Sequence, residues 1–158
     1  MGVLSDQDIR KALDKGRLAI RAFHEANLTP NGYDLTVAQV VVPSKNLKTT
    51  SGAARVPAGT RFLVGTEERV ELGPELVGAL WLRSTWARRG VLASFGAVDA
   101  GFQGTLTLGA LNASEAELEV PIGERFAQIV FHALEHPAKA TYEKRSGTYQ
   151  GQEDVTVR

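Results

Sequence analysis

The sequence predicts a mainly β fold of the sandwich, barrel or jelly-roll kind, with a short N-terminal helix and one short internal helix. Apolar and polar residues alternate with period two in many runs from Arg17 onward, and Gly- and Pro-bearing turns separate those runs at short spacing. Only two stretches carry helix punctuation. The 158 residues suffice for one domain with one core and are too few for two.

The stretch "LSDQDIRKALDKG" reads as a helix. Ser5 can cap it, Asp8 completes a capping-box pair, Leu4 and Ile9 take staple positions, and Gly16 ends it. In "RLAIRAF" the period becomes two, with Leu18, Ile20 and Ala22 alternating against Arg17, Ala19 and Arg21. Further strands are expected at "YDLTVAQVVV", "TRFLVGT", "ERVEL", "LVGALWLR", "VLASF", "GTLTLGALN", "AELEVPI" and "ERFAQIVFHAL". Turns fall at "TPNG", "SGAARVPAG", "LGPE" and "PIGE". The stretch "RSTWARRG" breaks the alternation, and its hydroxyl pair and closing Gly suit a short helix. The acidic "SEAELE" reads as a solvated strand edge, and the polar tail, about 142–158, as a mobile arm.

Composition narrows the function. Acidic and basic residues number 18 each, which argues against a polyanion binder with a wholly positive surface, so any anion site must be local. The absence of Cys excludes disulfides, thiolate nucleophiles and Cys-ligated zinc. Apolar runs of a few residues fall far short of the roughly 20 that span a bilayer. The start "MGVLSDQDIRKAL" has no apolar h-region, and the reading is a soluble, cytoplasmic protein.

Several residues can carry chemistry. Arg83, Arg88 and Arg89 with Ser84 and Thr85 form a compact cationic cluster suited to a polyphosphate, or else decorate an exposed turn. No G-x-x-x-x-G-K-[ST] loop is present. Asp99 is either a general base or an ordinary turn residue. On the next strand Thr105, Thr107, Gly109 and Leu111 share one face, while Leu106, Leu108 and Ala110 face the core. Gly109 then marks a bulge or a close approach, and it supplies neither acid nor base. Gln128 joins the face of Phe126 and Val130 and must be paired if buried, to the protein or to a ligand. His132 and His136 stand four apart but on a strand running into Pro137, not on one helix face, so no zinc pair is expected.

The order of these pieces resembles the superfamily of trimeric dUTPases and dCTP deaminases from end to end. The carrying motifs are "LSDQDI", "PNGYDL", "RSTWARRG", "GAVDAGFQG", "GERFAQIVF" and "TYQGQ". The N-terminal helix, the paired arginines and the "TYQGQ" tail look like the deaminase branch, which also holds bifunctional and dUTPase-only members of archaeal type.

The resemblance implies a distorted jelly roll or β-barrel, a dUTPase-like β-clip domain over 1–158, assembled as a homotrimer with shared active sites. It implies hydrolysis of dUTP to dUMP and pyrophosphate, with Asp99 activating water for attack on the α-phosphorus. The deaminase branch uses a glutamate in the following strand, and its place here is held by Gly109. Arg83, Ser84 and Thr85 would hold phosphate oxygens, Arg88 would reach the terminal phosphates, and Gln128 would contact the phosphate chain or order its neighbours. Backbone groups of Gly96, Ala97 and Val98 would read the uracil edge, and Phe102 would lie under the deoxyribose. Tyr142, Tyr149 and Gln152 would close over the nucleotide. A Mg²⁺ held by phosphates and waters is expected, with Asp34 in its outer shell or purely structural and no dedicated protein metal site.

Three positions depart from the family pattern. Leu82 stands where Gly usually precedes the motif arginine, Thr148 where a lysine precedes the tail tyrosine, and Trp86 where leucine is frequent. The alternatives are a dCTP deaminase, bifunctional or not, and a nucleotide-binding regulator without turnover. A nucleic-acid binder is disfavoured by zero net charge.

Overall fold

The computed structural model describes residues 2–157. Helix α1 (Asp6–Asp14) begins as the sequence predicts: the Ser5 hydroxyl accepts from Asp8 N, and the Asp8 carboxylate accepts from Ser5 N. Ile9 and Ala12 bury one side of the helix, and Gly16 turns the chain out at φ +66°. Strand β1 (Leu18–Arg21) is shorter than its alternation, because Ala22 takes φ +59° and leaves the strand although it continues the apolar row.

Strands β2 (Leu28–Thr29) and β3 (Gly32–Val42) form a hairpin, followed by β4 (Leu47–Thr49) and β5 (Ala53–Val56). The last corrects the sequence reading, which places a turn there. Ala54 and Val56 are buried, and β5 pairs with β11 (Leu118–Pro121), a partner far along the chain that local pattern cannot announce. Strand β6 (Arg61–Leu72) fuses the two strands expected at "TRFLVGT" and "ERVEL", since the ladder slips around Thr66–Glu68 without breaking. Strand β7 (Leu76–Leu82) leads into the expected short helix α2 (Ser84–Arg88). The stretch "VLASF" shrinks to β8 (Val91–Leu92), and β9 (Ala97–Val98) is an addition. Strand β10 (Gln103–Asn112), β12 (Arg125–Ala133) and helix α3 (Tyr142–Arg145) complete the element order.

The main sheet runs β8-β10-β6-β3-β12-β7-β9 and curls into a half-barrel. Strand β3 makes the curl, because Tyr33–Thr36 pairs with β12 while Val37 and Gln39–Val41 pair with β6. Inside lie Tyr33, Phe62, Trp86, Phe126 and Phe131, all fully buried. Phe126 is the hub of this cluster, 5.2 Å from the Trp86 ring and 6.1 Å from Phe62. Each such pair adds about 0.5–1.5 kcal/mol beyond its buried area. Trp86 also donates Nε1 to Arg125 O at 2.9 Å, so its replacement of the frequent leucine serves packing of α2 on β12.

The tail expected as a mobile arm lies along β10. Gly151 N donates to Gln103 O at 2.7 Å and Thr105 N to Gln152 O at 2.8 Å. A Cβ on Gly104 would stand 3.0 Å from Gln152 N, so the bare backbone is what lets the tail approach. Arg158, the end of the expected arm, lies outside the described residues. Among those residues no helix is long and apolar enough to cross a membrane.

Candidate active site

All the predicted residues but Thr85 and Arg88 gather in two places. One cavity of about 530 Å³ is walled by the turn between β9 and β10, by the β6–β10 ladder and by the tail. Gly96, Ala97 and Val98 line it from β9 and its entry, Asp99 and Phe102 from the turn, and Tyr142, Tyr149 and Gln152 from the tail. The turn is fixed by Phe102 N donating to Asp99 O at 3.0 Å and Gly101 N to Leu72 O at 3.1 Å. Gly101 sits at φ +83°, where a Cβ would come within 2.5 Å of Thr141 Cβ, so glycine is required. Phe102 is buried and meets Tyr142 edge-on at 5.4 Å. Tyr142 in turn accepts from Tyr149 N at its hydroxyl, 3.0 Å away. The Asp99 side chain is exposed and has no hydrogen-bond or ion-pair partner among the described residues.

A second cavity of about 430 Å³ joins Asp34, Arg83, Ser84 and Gln128 with Thr29. Asp34, on β3, is 4 % exposed and pairs with Arg83 Nε at 3.0 Å and Arg125 Nη1 at 3.5 Å. Burial pushes its carboxyl above the ordinary 3.8 in spite of the opposing pull of the two guanidiniums. Gln128, on β12 opposite Asp34, donates Nε2 to Thr29 Oγ1 at 2.9 Å, which settles its pairing on a side chain. Arg83 spends Nε on Asp34 and one Nη on Arg125 O, and its other donors stay free for an anion.

Thr85 and Arg88 are exposed on α2 and line neither cavity. Arg89 leaves the cationic cluster altogether: its guanidinium stacks 4.5 Å over Trp86 and donates to Glu119 O at 2.9 Å. Between the two cavities runs a groove of about 370 Å³ carrying Leu80, Trp81, Leu82 and Phe95, with Trp81 61 % exposed. It shares Trp81 and Leu82 with the second cavity and Gly96 and Ala97 with the first.

Sequence reasoning missed Arg61 and Leu63, which reach the first cavity from β6. Arg61 and Asp99 are the charged residues lining it. Their only sequence signal is alternation in "TRFLVGT", which puts Arg61 and Leu63 on one face but does not say which strand they pair with. The register pairs Leu63 with Gly109. Gly109 is exposed, shares a strand face with the cavity residue Thr107, and a Cβ there would meet only Leu63 Cδ2 at 3.6 Å. It is an open position, not a forced approach.

For a metal, among the described residues no group of three or more His, Cys, Asp or Glu could hold an ion. Asp34 is already committed to two arginines.

The profile of the dCTP deaminase-like family matches residues 43–134. Proteins named dCTP deaminase from Thermococcus sibiricus and Thermococcus kodakarensis are each 41% identical over 157 residues, covering 98% of this chain and 96% of theirs. A Sulfolobus islandicus rod-shaped virus 1 protein named "Probable deoxyuridine 5'-triphosphate nucleotidohydrolase" is 32% identical over 98% of this chain and 97% of its own. Among solved structures, a 2'-deoxycytidine 5'-triphosphate deaminase from Agrobacterium tumefaciens superposes with a TM-score of 0.70 at 20% identity. That match covers 85% of this chain, which spans 48% of the Agrobacterium one. The native EIAV dUTPase gives a TM-score of 0.56 at 17% identity, covering 82% of this chain and 98% of that one. At these identities the two structures establish the shared fold.

Proposed function

The chain belongs to the dCTP deaminase-like family, within the dUTPase and dCTP deaminase superfamily, and on that premise we propose that it hydrolyses dUTP to dUMP and pyrophosphate. The observation that carries the proposal is the contrast between Asp99 and Gly109. Among the described residues Asp99 offers an unpartnered carboxylate inside the larger cavity, while position 109, beside that cavity, offers no side chain. Deamination of a cytosine needs a proton donor and acceptor beside the ring, whereas phosphate hydrolysis needs a base, a water and neutralised charge.

In the proposed reaction Asp99 takes a proton from water as its oxygen bonds to the α-phosphorus. The bond from that phosphorus to the bridging oxygen breaks, pyrophosphate leaves, and Asp99 passes its proton to solvent. Backbone groups of Gly96 to Val98 face the uracil, and Phe102 supports the sugar. The free donors of Arg83, with Ser84, Thr85 and Gln128, take phosphate oxygens, and Arg88 extends the cationic surface of α2 toward the terminal phosphates. Tyr142, Tyr149 and Gln152 cover the nucleotide. Mg²⁺, when bound, adds positive charge on the phosphates.

A complete site needs both cavities, and we propose that a homotrimer supplies it, the Asp99 side of one subunit meeting the Asp34–Arg83 side of the next. The exposed groove around Trp81, which touches both cavities, supports that assembly. We place the enzyme in the cytoplasm, where its nucleotide substrate is.

A second reading, dCTP deamination, is favoured by the names of the Thermococcus relatives. Incubation with dUTP and dCTP separates the two. The proposal expects pyrophosphate from dUTP and no ammonia from dCTP, and sustained ammonia release from dCTP would reject it.

A further inference from the structure

Strand β6 carries two buried polar side chains that the proposed reaction leaves unused. Thr66 is 4% exposed and Glu68 0%. Both sit at the level where three ladders lose register: β10 against β6 between Thr105 and Thr107, β3 against β6 between Val37 and Gln39, and β12 against β3 between Arg125 and Ala127. Such slips leave buried backbone N–H groups without ladder partners, and those groups must find acceptors elsewhere.

The two side chains provide the acceptors. Thr66 Oγ1 accepts from Leu106 N at 2.9 Å and donates to Glu68 O at 2.9 Å. Glu68 Oε2 accepts from Thr36 N at 2.8 Å, on the opposite side of β6. Glu68 Oε1 is buried with no partner among the described residues, so this carboxyl is a poor way to stabilise a core. Its bonding to Thr36 makes sense as a device for placing that residue.

Thr36 lies two residues beyond Asp34 on the same strand face, and its hydroxyl also accepts from Asn27 Nδ2 at 3.0 Å. Leu106 lines the Asp99 cavity from β10, the strand that leaves the turn bearing Asp99 and Phe102. We propose that Thr66 and Glu68 are paired positioning residues, holding the Asp34–Arg83 half-site through Thr36 and the Asp99 half-site through Leu106 at a fixed spacing across β6. The proposal rests on the dUTP reading for its kinetic test only.

The test compares Thr66→Val and Glu68→Met, which remove the acceptors, with Thr66→Ser and Glu68→Gln, which keep them. Thr66→Val, acting on the Asp99 side, is expected to lower kcat for dUTP about tenfold or more with KM within about threefold. Glu68→Met, acting on the phosphate side, is expected to raise KM about fivefold or more with kcat within about threefold. The conservative pair should stay within about twofold of wild type in both. Changes in kcat and KM that move together and track lost thermal stability, or no change at all, would overturn the proposal. So would tenfold losses in well-folded Thr66→Ser or Glu68→Gln.

If the wild type is inert toward dUTP, the functional reading fails, and amide hydrogen exchange then decides the positioning role by itself. Faster exchange over residues 33–37 in Glu68→Met and over 102–108 in Thr66→Val supports it. Unchanged exchange in those segments overturns it.

Discussion

Asp34 and Arg83 form a 3.0 Å ion pair in the wall of one cavity, while Asp99, in another, has no partner among the described residues. Within a single chain, the group that could activate water and the group that could hold phosphate are therefore apart. This division makes the two halves separately testable.

Arg83→Ala leaves the buried Asp34 carboxylate with Arg125 alone, at 3.5 Å and on a 43% exposed side chain. Loss of one partner from a buried pair is destabilising, and with Arg125 still present the expected cost is about 2 kcal/mol in urea unfolding near neutral pH. The same variant should raise KM for nucleotide about tenfold or more, as a charged phosphate contact is lost. An unchanged unfolding midpoint would show that Asp34 does not need Arg83.

The Asp99 side of the site was legible in the sequence because its parts are contiguous. Gly96 to Phe102 are one short stretch, strand β9 with the turn after it, and a turn is written in local residues. Arg61 and Leu63 were hidden because they arrive through the register of β6 on β10, which no local pattern encodes. The contact of the tail with β10 is not legible for a different reason: polar bonds carry it, backbone ones at Gly151 and Gln152 and side-chain ones at Gln150 and Gln152, and these leave no apolar period behind. The N-terminal helix was legible to the residue, since its capping box is a pair of side chains three apart. Strand β5 was lost in a stretch with turn-like Gly and Pro, whose strand character comes from pairing with β11.

Gly109→Ala tests whether the bare strand position is structural. A Cβ there meets only Leu63 Cδ2 at 3.6 Å, in ordinary contact. Replacing a mid-strand glycine should raise stability by about 0.5–1 kcal/mol and leave dUTP turnover within about twofold. A large loss of turnover with intact folding would mean that substrate needs the space.

Trp81→Glu addresses assembly. The side chain is 61% exposed, so the substitution spares the core and places a charge in the apolar groove between the cavities. Sedimentation should shift from trimer toward monomer, with turnover lost in parallel. A stable, active trimer would move the subunit contact elsewhere.

The buried carboxyl of Glu68 sets a pH dependence. Burial pushes it above the ordinary 4.5, with the bond from Thr36 N pulling less strongly downward. Between the ordinary and the raised value the folded chain keeps a proton that the unfolded chain has released. Stability therefore falls as pH rises through that window and levels off above it. Asp34 contributes in the same sense from 3.8 upward. Glu68→Gln should remove its own share, so the stability of wild type relative to the variant declines between about pH 4.5 and the raised pKa and is flat beyond. A difference that grows with pH would contradict the assignment.

Release of pyrophosphate from dUTP by wild type and Asp99→Asn, with binding of a non-hydrolysable dUTP analogue measured alongside, tests the central claim most directly. Wild type should turn over steadily, and the variant should bind the analogue within about threefold while losing about 10²–10⁴-fold in rate. Undiminished pyrophosphate release by Asp99→Asn would contradict the account.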